Sequence, residues 1–412
     1  MSALGQKQTW EHASGMSALP SKADILHEHW TLFGKVGLRT PTAKSEYAKP
    51  LSVSSRLIDG GPDMAIDEQK LESLLGKMVN ELGAAANAAL VLLGDKLGLY
   101  RALVVHGPQS SDELARQTNT NERYVREWLS AQAASGFVTF NVADDKFSLS
   151  PEQAAVFSDE DSPFNMTGGF YSLAAVFAGE PQLTAAFKTG DGIGWGDQCS
   201  CLFCGTERFF KPGYKAHLVD EWLPALDGAV QKLQKGAQVA DVGCGHGAST
   251  AVMAEAFPRS QFSGFDFHAP SIETAREKVF GKSNVTFNVA SAQDFGGQAY
   301  DLITVFDALH DMGDPVGAAA HMRSKLAEDG TLMIVEPLAA DRLEDNLNPV
   351  GRVYYAFSTS VCVPTSLSQD VGAALGAQAG EQRLTNVLRQ AGFSRVRRAM
   401  ETPFNMVLEA RA

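Results

Sequence analysis

The stretch AQVADVGCGHGAST, Ala237–Thr250, decides how the second half of the chain folds. Its first residues form an apolar strand that ends in Asp241. Gly243, Gly245 and Gly247 follow, and a helix opens near Ser249. Glycines permit a tight turn and let a ligand lie against bare backbone, while the helix start beyond them favours electron-rich groups. Taken alone the motif is ambiguous, because Gly243-x-Gly245-x-x-Ala248 also satisfies the spacing used for dinucleotides.

Working downstream separates the two readings. The strand QFSGFDF carries Asp266, 25 residues beyond Asp241 and suited to accepting both hydroxyls of a ribose. The helix PSIETAREKVF, the strand VTFNVA and the turn SAQDF, with Asp294, come next. The fourth strand, YDLITVFDALHD, closes its apolar run at Phe306-Asp307, and GTLMIVEP supplies a fifth. The helix EQRLTNVLRQAGF and two strands, RVRRAME and NMVLEAR, end the chain. Alternating strand–helix units closed by a hairpin specify an α/β doubly wound sheet with an antiparallel strand at one side.

Upstream, the 412 residues leave room for two to three domains at roughly 150 residues each. The first 63 residues are polar, repeat MSAL at Met1–Leu4 and Met16–Leu19, and lack a secretory pattern; they are expected to be a disordered leader. A winged-helix and dimerisation domain is expected over residues 64–160, linking helices and a lid over 161–228, and the doubly wound domain over 229–412. No apolar run approaches the ~20 residues of a membrane span, so a soluble protein is expected. The net charge of −13 argues against binding to phosphate backbones. Five cysteines in a chain of this length do not suggest a disulfide framework and fit a reducing cytoplasm.

In the front domain, Ile66, Leu71, Leu74, Leu75, Met78, Val79 and Leu82 recur with helical spacing, and the Ala-rich run to Leu93 extends it. Ser110 or Ser111 can cap a second helix, and Thr120 or Asn121 a third that ends near Gly136. Then FVTFNVADDKFSLSP reads as a hairpin turning at Ala143-Asp144-Asp145. Helices followed by a hairpin make a winged helix-turn-helix. Its recognition helix balances Arg123 and Arg126 against Glu122 and Glu127, so the expected roles are dimerisation and walling a pocket, not reading DNA. The middle segment mixes Gly with Phe170, Tyr171, Trp195, Phe209, Phe210 and Tyr214 and reads as short helices and a long loop roofing a ligand. Cys199, Cys201 and Cys204 lack a fourth zinc ligand, and they are expected to be loop thiols with no metal.

The ordered motifs DVGCGHG, GFD, AQDF and VEP resemble those of the class I S-adenosylmethionine-dependent methyltransferases, whose catalytic domain is a Rossmann-like seven-stranded sheet. The winged helix ahead of them is similar to that of small-molecule O-methyltransferases and of bacterial winged-helix methyltransferases with unassigned acceptors. The resemblance implies S-adenosylmethionine as cofactor. Gly243, Cys244, Gly245 and Gly247 would meet its methionine end, with Asp241 orienting the ammonium. Asp266, with Phe267 beside it, would hold the ribose; Gln293 and Asp294 would meet the adenine, and Asp307 the methionine near the sulfonium. Each Asp has the alternative of capping a turn.

The phenolic O-methyltransferases carry a Leu-His-Asp-Trp motif whose His deprotonates the acceptor. Here Leu309-His310-Asp311 is followed by Met312 in place of Trp. The resemblance implies His310 as general base, oriented by Asp311 or Asp314; the alternative is a hydrogen-bonded residue at a helix start. The expected activity is methyl transfer to a small, largely apolar acceptor, at oxygen. A transcriptional regulator that binds the cofactor as effector, and an NAD-dependent oxidoreductase, are the competing readings. The aromatic segment from Ala340 to Gln369 is expected to shape the acceptor site.

Overall fold

The computed structural model describes residues 66–412; the leader read over residues 1–63 lies outside them. The first helix among the described residues is α1 (Glu68–Lys96). Leu74, Met78, Val79 and Leu82 on it are exposed. Beyond residue 86 the helix contributes Val91 to a small core with Leu103, Leu114, Trp128 and Leu129.

Helices α2 (Leu99–His106), α3 (Ser111–Thr118) and α4 (Glu122–Ala134) follow, then β1 (Thr139–Asn141) and β2 (Lys146–Ser148), paired antiparallel as the wing. Local chemistry sets these ends. Ser110 caps α3 in a reciprocal box with Glu113, and Asn121 caps α4 by accepting from the Arg123 amide. Helix α5 (Pro151–Phe157) opens with a second such box, Ser150 with Gln153.

The middle segment was expected as short helices and a long loop, and the helices take up more of it than expected. It is mostly helix: α6 (Thr167–Ala178), α7 (Glu180–Thr189) and α8 (Ser200–Gly213), the last running into a π-helical stretch, Tyr214–Trp222. The reason is the use made of its glycines. A Cβ on Gly168 would stand 2.3 Å from the Phe209 amide nitrogen, and one on Gly205 2.6 Å from that of Ser172. These glycines allow α6 and α8 to touch backbone to backbone and do not make turns. Cys199, which precedes α8, and Cys201, in its first turn, are joined as a disulfide, so they are not the free thiols expected; Cys204, Cys244 and Cys362 are free.

After α9 (Ala229–Lys235) comes the doubly wound domain: β3 (Gln238–Val242), α10 (Ala248–Ala256), β4 (Gln261–Asp266), α11 (Ala269–Lys278), β5 (Val285–Val289), β6 (Tyr300–Phe306), α12 (Pro315–Lys325) and β7 (Leu326–Pro337). The segment beyond β7, read as an insertion, folds as α13 (Pro349–Phe357), a π-turn and α14 (Val363–Leu367). Helix α15 (Glu381–Gln390), β8 (Arg395–Glu401) and β9 (Asn405–Arg411) finish the domain. The seven strands lie in the order β5-β4-β3-β6-β7-β9-β8, with β9 antiparallel to both its neighbours.

Alternation along the central strands builds a core on each face. Val239, Leu302, Met333 and Val335 pack on one side with Met253 of α10 and Ile272 of α11. Ala240, Val242, Ile303, Val305, Leu332 and Ile334 pack on the other with Met322 of α12 and Leu388 of α15. Each fully buried aliphatic side chain contributes roughly 1.5–3 kcal/mol, so this double burial dominates the stability of the sheet.

Candidate active site

Chain order reverses between β3 and β6, and a sheet of this kind opens a crevice above the carboxyl ends of such strands. A cavity of about 500 Å³ occupies that place. The loop after β3 floors it through Gly243, Cys244, Gly245 and His246, and Asp307 and Ala308 after β6 form the facing wall.

The glycine loop is held from behind. The amides of Gly243 and Cys244 both donate to the Phe265 carbonyl, at 2.8 and 3.0 Å, and that of Gly245 donates to Asp266 Oδ2 at 2.9 Å. These three donors are engaged within the fold. Gly247 does not line the cavity. It takes φ +75°, and a Cβ there would sit 2.4 Å from the Phe287 ring. Burial raises the Cys244 thiol well above its ordinary range, which suits a turn residue and not a nucleophile.

The acids predicted for the cofactor divide. Asp241 does not reach the cavity. Its carboxylate accepts from Ser249 Oγ at 2.7 Å, Thr250 Oγ1 at 2.5 Å and Thr304 Oγ1 at 3.1 Å, tying β3 to the start of α10. Asp294 also stays outside, accepting from the amide and hydroxyl of Ser291 in its own turn. Both follow the turn-capping alternative. Asp266 lines the cavity with Phe267, fixed by the amides of Gly245 and His268. Gln293 lines it too, its Nε2 3.0 Å from Asp314 Oδ2.

Asp307 is the unusual one. It holds φ +49° without being glycine, a strained conformation kept by three partners: its amide donates to the Val335 carbonyl at 2.7 Å, Asn405 Nδ2 donates to Oδ1 at 2.7 Å, and the Tyr214 hydroxyl donates to Oδ2 at 3.3 Å. Burial, then the charge of Glu336, pushes its carboxyl well above the usual range.

Six acids line the outer cavity: Glu207, Asp266, Asp307, Asp311, Asp314 and Asp370. No Lys or Arg does. Glu207 sits between His246 Nδ1, at 2.9 Å, and Lys278.

A second, inner cavity of about 110 Å³ adjoins the first. Leu202, Phe209, Tyr354, Phe357 and Val361 give it an apolar lining. Trp195, Thr206, Phe210, Asp307 and Asp311 line both cavities and so form the wall they share. No winged-helix residue lines either cavity among the described residues, against the expectation that this domain walls a pocket.

His310 faces only the inner cavity and is 3% exposed. Its Nδ1 is bonded to Glu336 Oε2, and its Nε2 stands 3.1 Å from Asp311 Oδ1. The second contact is an ion pair off the line of a hydrogen bond, since Asp311 Oδ1 has no hydrogen-bond partner. Burial by itself lowers the imidazole, but the Asp311 and Glu336 charges outweigh it and hold the ring well above its ordinary value. A carboxyl group against each ring nitrogen favours the protonated form of His310. Asp311 is itself raised by burial, against the pull of His310. Thr365 lines the outer cavity, and its buried Oγ1 has no hydrogen-bond partner.

Sequence reading passed over Glu336, Asn405 and Cys362, and named Tyr214 only as part of an aromatic roof. Glu336 carried a signal: an acid directly after the apolar run Leu332–Val335 in a strand buried on both faces needs a partner. The others gave none.

Residues 233–392 match a family described as "Methyltransferase domain", and residues 85–159 one described as "Rv2258c-like winged HTH domain". Trans-aconitate 2-methyltransferase of Paracidovorax citrulli is 30% identical over 105 residues, 26% of this chain and 40% of that protein. O-methyltransferase cnsE of Penicillium expansum is 30% identical over 164 residues, 39% of this chain and 52% of that protein. The chain thus spans about half or less of the length of these curated relatives. Among solved structures, human N-acetylserotonin methyltransferase bound to SAM superimposes with TM-score 0.62 at 16% identity, covering 84% of this chain and 99% of that one. Mitomycin 7-O-methyltransferase MmcR gives 0.60 at 20% identity, covering 84% and 100%. At these identities the likeness shows the shared fold.

Proposed function

We propose, for a chain built from a winged helix-turn-helix domain and a methyltransferase domain, that it transfers a methyl group from S-adenosylmethionine to a hydroxyl of a small, largely apolar acceptor. The observation that carries this reading is the pair of adjoining cavities. The outer one has the size and acidity for a cationic nucleoside, the inner one the lining for an apolar acceptor, and a single wall divides them. Bound there, the cofactor supplies an electrophilic sulfonium methyl.

The protein's part is placement and charge. Asp266 accepts from the ribose, Gly243 and Gly245 lie under the amino-acid tail, and Gln293 lies at the adenine end. Asp307 stands at the wall beside the reacting groups. Most of the acceleration comes from holding the acceptor oxygen in line with the methyl in a dry site, and the hydroxyl proton leaves to the His310–Asp311 pair. Related names include a methyltransferase of trans-aconitate, but neither cavity is lined by Lys or Arg, and His310 on the inner one already lies between Glu336 and Asp311, so an anionic acceptor is disfavoured here.

The same acidity supports this cofactor over NAD, whose pyrophosphate would face six carboxyl groups. The regulator reading has little support, since Arg123 and Arg126 are paired with Glu127 and Glu122 on their own helix. Homodimerisation through the exposed Leu74, Met78, Val79 and Leu82 of α1, and a cytoplasmic location, belong to this proposal. No helix among the described residues is long and apolar enough to cross a membrane. Calorimetry tests the core of it: S-adenosylhomocysteine binds and NAD does not. Binding of NAD alone would overturn the reading.

A further inference from the structure

We propose that His310 Nε2, Asp311 Oδ1 and Cys362 Sγ form a binding site for one zinc ion in the wall of the inner cavity. The site goes beyond the methyl-transfer reading and does not rest on it. Four observations carry it.

Convergence comes first. His310 and Asp311 stand in the helical turn Leu309–Asp311 after β6, and Cys362 ends the π-turn Ser358–Cys362 between α13 and α14. One donor atom from each nevertheless lies within 4.8 Å of the other two. His310 Nε2 and Asp311 Oδ1 are 3.1 Å apart. Two such ligands on one tetrahedral zinc stand about 3.3 Å apart, and an imidazole nitrogen and a thiolate about 3.6 Å. The spacing therefore fits a shared ion after the thiol closes up by no more than about 1.2 Å.

The second observation is an unmet bond. Asp311 Oδ1 is buried and receives no hydrogen bond, even from the ring nitrogen beside it. A cation seated among the three donor atoms satisfies that oxygen, and this needs no opening from Oδ1 to the cavity.

Third, the donors are held in place. Glu336 is bonded to His310 Nδ1, which leaves Nε2 as the ligand, and a carboxylate behind the second nitrogen is the usual support of a metal-bound histidine. Glu336 also accepts from the amides of Leu309, at 2.9 Å, and His310, at 3.4 Å. Gln369, just beyond α14, ties that segment to the same turn: it donates to the Asp311 carbonyl at 2.9 Å and accepts from the Gly313 amide at 3.0 Å.

The fourth observation is the chemistry of the set. Two carboxyl groups and a thiol surround one imidazole in a buried place, a concentration of anionic ligands that a divalent ion offsets. Thiolate with imidazole suits zinc, whereas magnesium and calcium take oxygen ligands. Three protein ligands leave a fourth position open, and all three residues line the inner cavity, which supplies that position and the way in. On binding, the Cys362 thiol proton and any proton on Nε2 pass to solvent. The ion takes the lone pairs that methyl transfer would use for the acceptor's proton, so the pair serves one or the other.

The test uses the full chain with Cys204→Ser, which removes the exposed thiol, its disulfide intact and its metals stripped by a chelator. Cobalt(II) is the coloured probe. One equivalent should give the visible bands of a tetrahedral site and a thiolate-to-cobalt charge-transfer band, both displaced by zinc and untouched by millimolar magnesium. Cys362→Ser should abolish the charge-transfer band and lower zinc affinity, read by calorimetry, by about 100-fold or more; Glu336→Gln should lower it by about 10-fold. Cys244→Ala should keep the band, which assigns it even where Cys362→Ser fails to fold. Cobalt bound without a thiolate band, or a band that survives Cys362→Ser, would overturn the site. Zinc binding by a chain with no affinity for S-adenosylhomocysteine would instead sink the methyl-transfer reading and leave this site standing.

Discussion

The two cavities are made by opposite means. The outer one is built on strand ends and the loops directly after them, so its residues cluster in short motifs: Gly243–His246, Asp266–Phe267, Ala290–Gln293, Asp307–Ala308. The inner one is assembled from helices far apart in the chain, with Gly169 and Ser172 from α6, Leu202 and Phe209 from α8, and Tyr354 and Phe357 from α13. The outer one is the more polar of the two and gathers six acids among its lining; the inner one is apolar and shaped by helix packing. A ligand common to a whole fold is expected in the first, and the feature particular to this chain in the second.

Substitutions can break or sharpen that contrast. The largest effect is expected at the loop itself: Gly247→Val, at φ +75° and against Phe287, should cost about 3 kcal/mol or more and abolish S-adenosylhomocysteine binding. A melting curve close to that of the unmodified chain would show that backbone does not shape the outer cavity. Next, Asp266→Ala removes one charge-assisted contact, worth about 2 kcal/mol or roughly 30-fold in S-adenosylhomocysteine affinity by calorimetry. Unchanged affinity would remove Asp266 from the site. The smallest effect on the cofactor is expected from Phe357→Ala, which enlarges the inner cavity alone. It should leave S-adenosylhomocysteine affinity within about two-fold while altering KM for the acceptor. A large loss of cofactor affinity there would mean that the two cavities act as one.

Much of the outer cavity was legible, because turn chemistry is local. A glycine cluster after an apolar strand, and an acid at the end of the next, place themselves. The same locality misled at Asp241 and Asp294. Both stand at strand ends or turns, and only their hydroxyl partners decide their use: Ser249, Thr250 and Thr304 hold Asp241 inside the fold, while Ser291 holds the exposed Asp294 within its own turn. The extent of helix in the middle segment was hidden for a related reason. A glycine that lets two helices touch, such as Gly168 or Gly205, has the same signature in one dimension as a glycine in a loop.

By itself the sequence determined the alternating strand–helix order, the winged helix ahead of it and the crevice at the glycine loop. These follow from periodicity and capping, which act over a few residues. The tertiary structure alone decided how the charges around His310 are shared. Glu336 and Asp311 come together there from the end of β7 and the turn after β6, and a proton settles according to the distances among all three groups. Those distances span 26 positions between His310 and Glu336 and are set by the pairing of β6 with β7, which no short motif records.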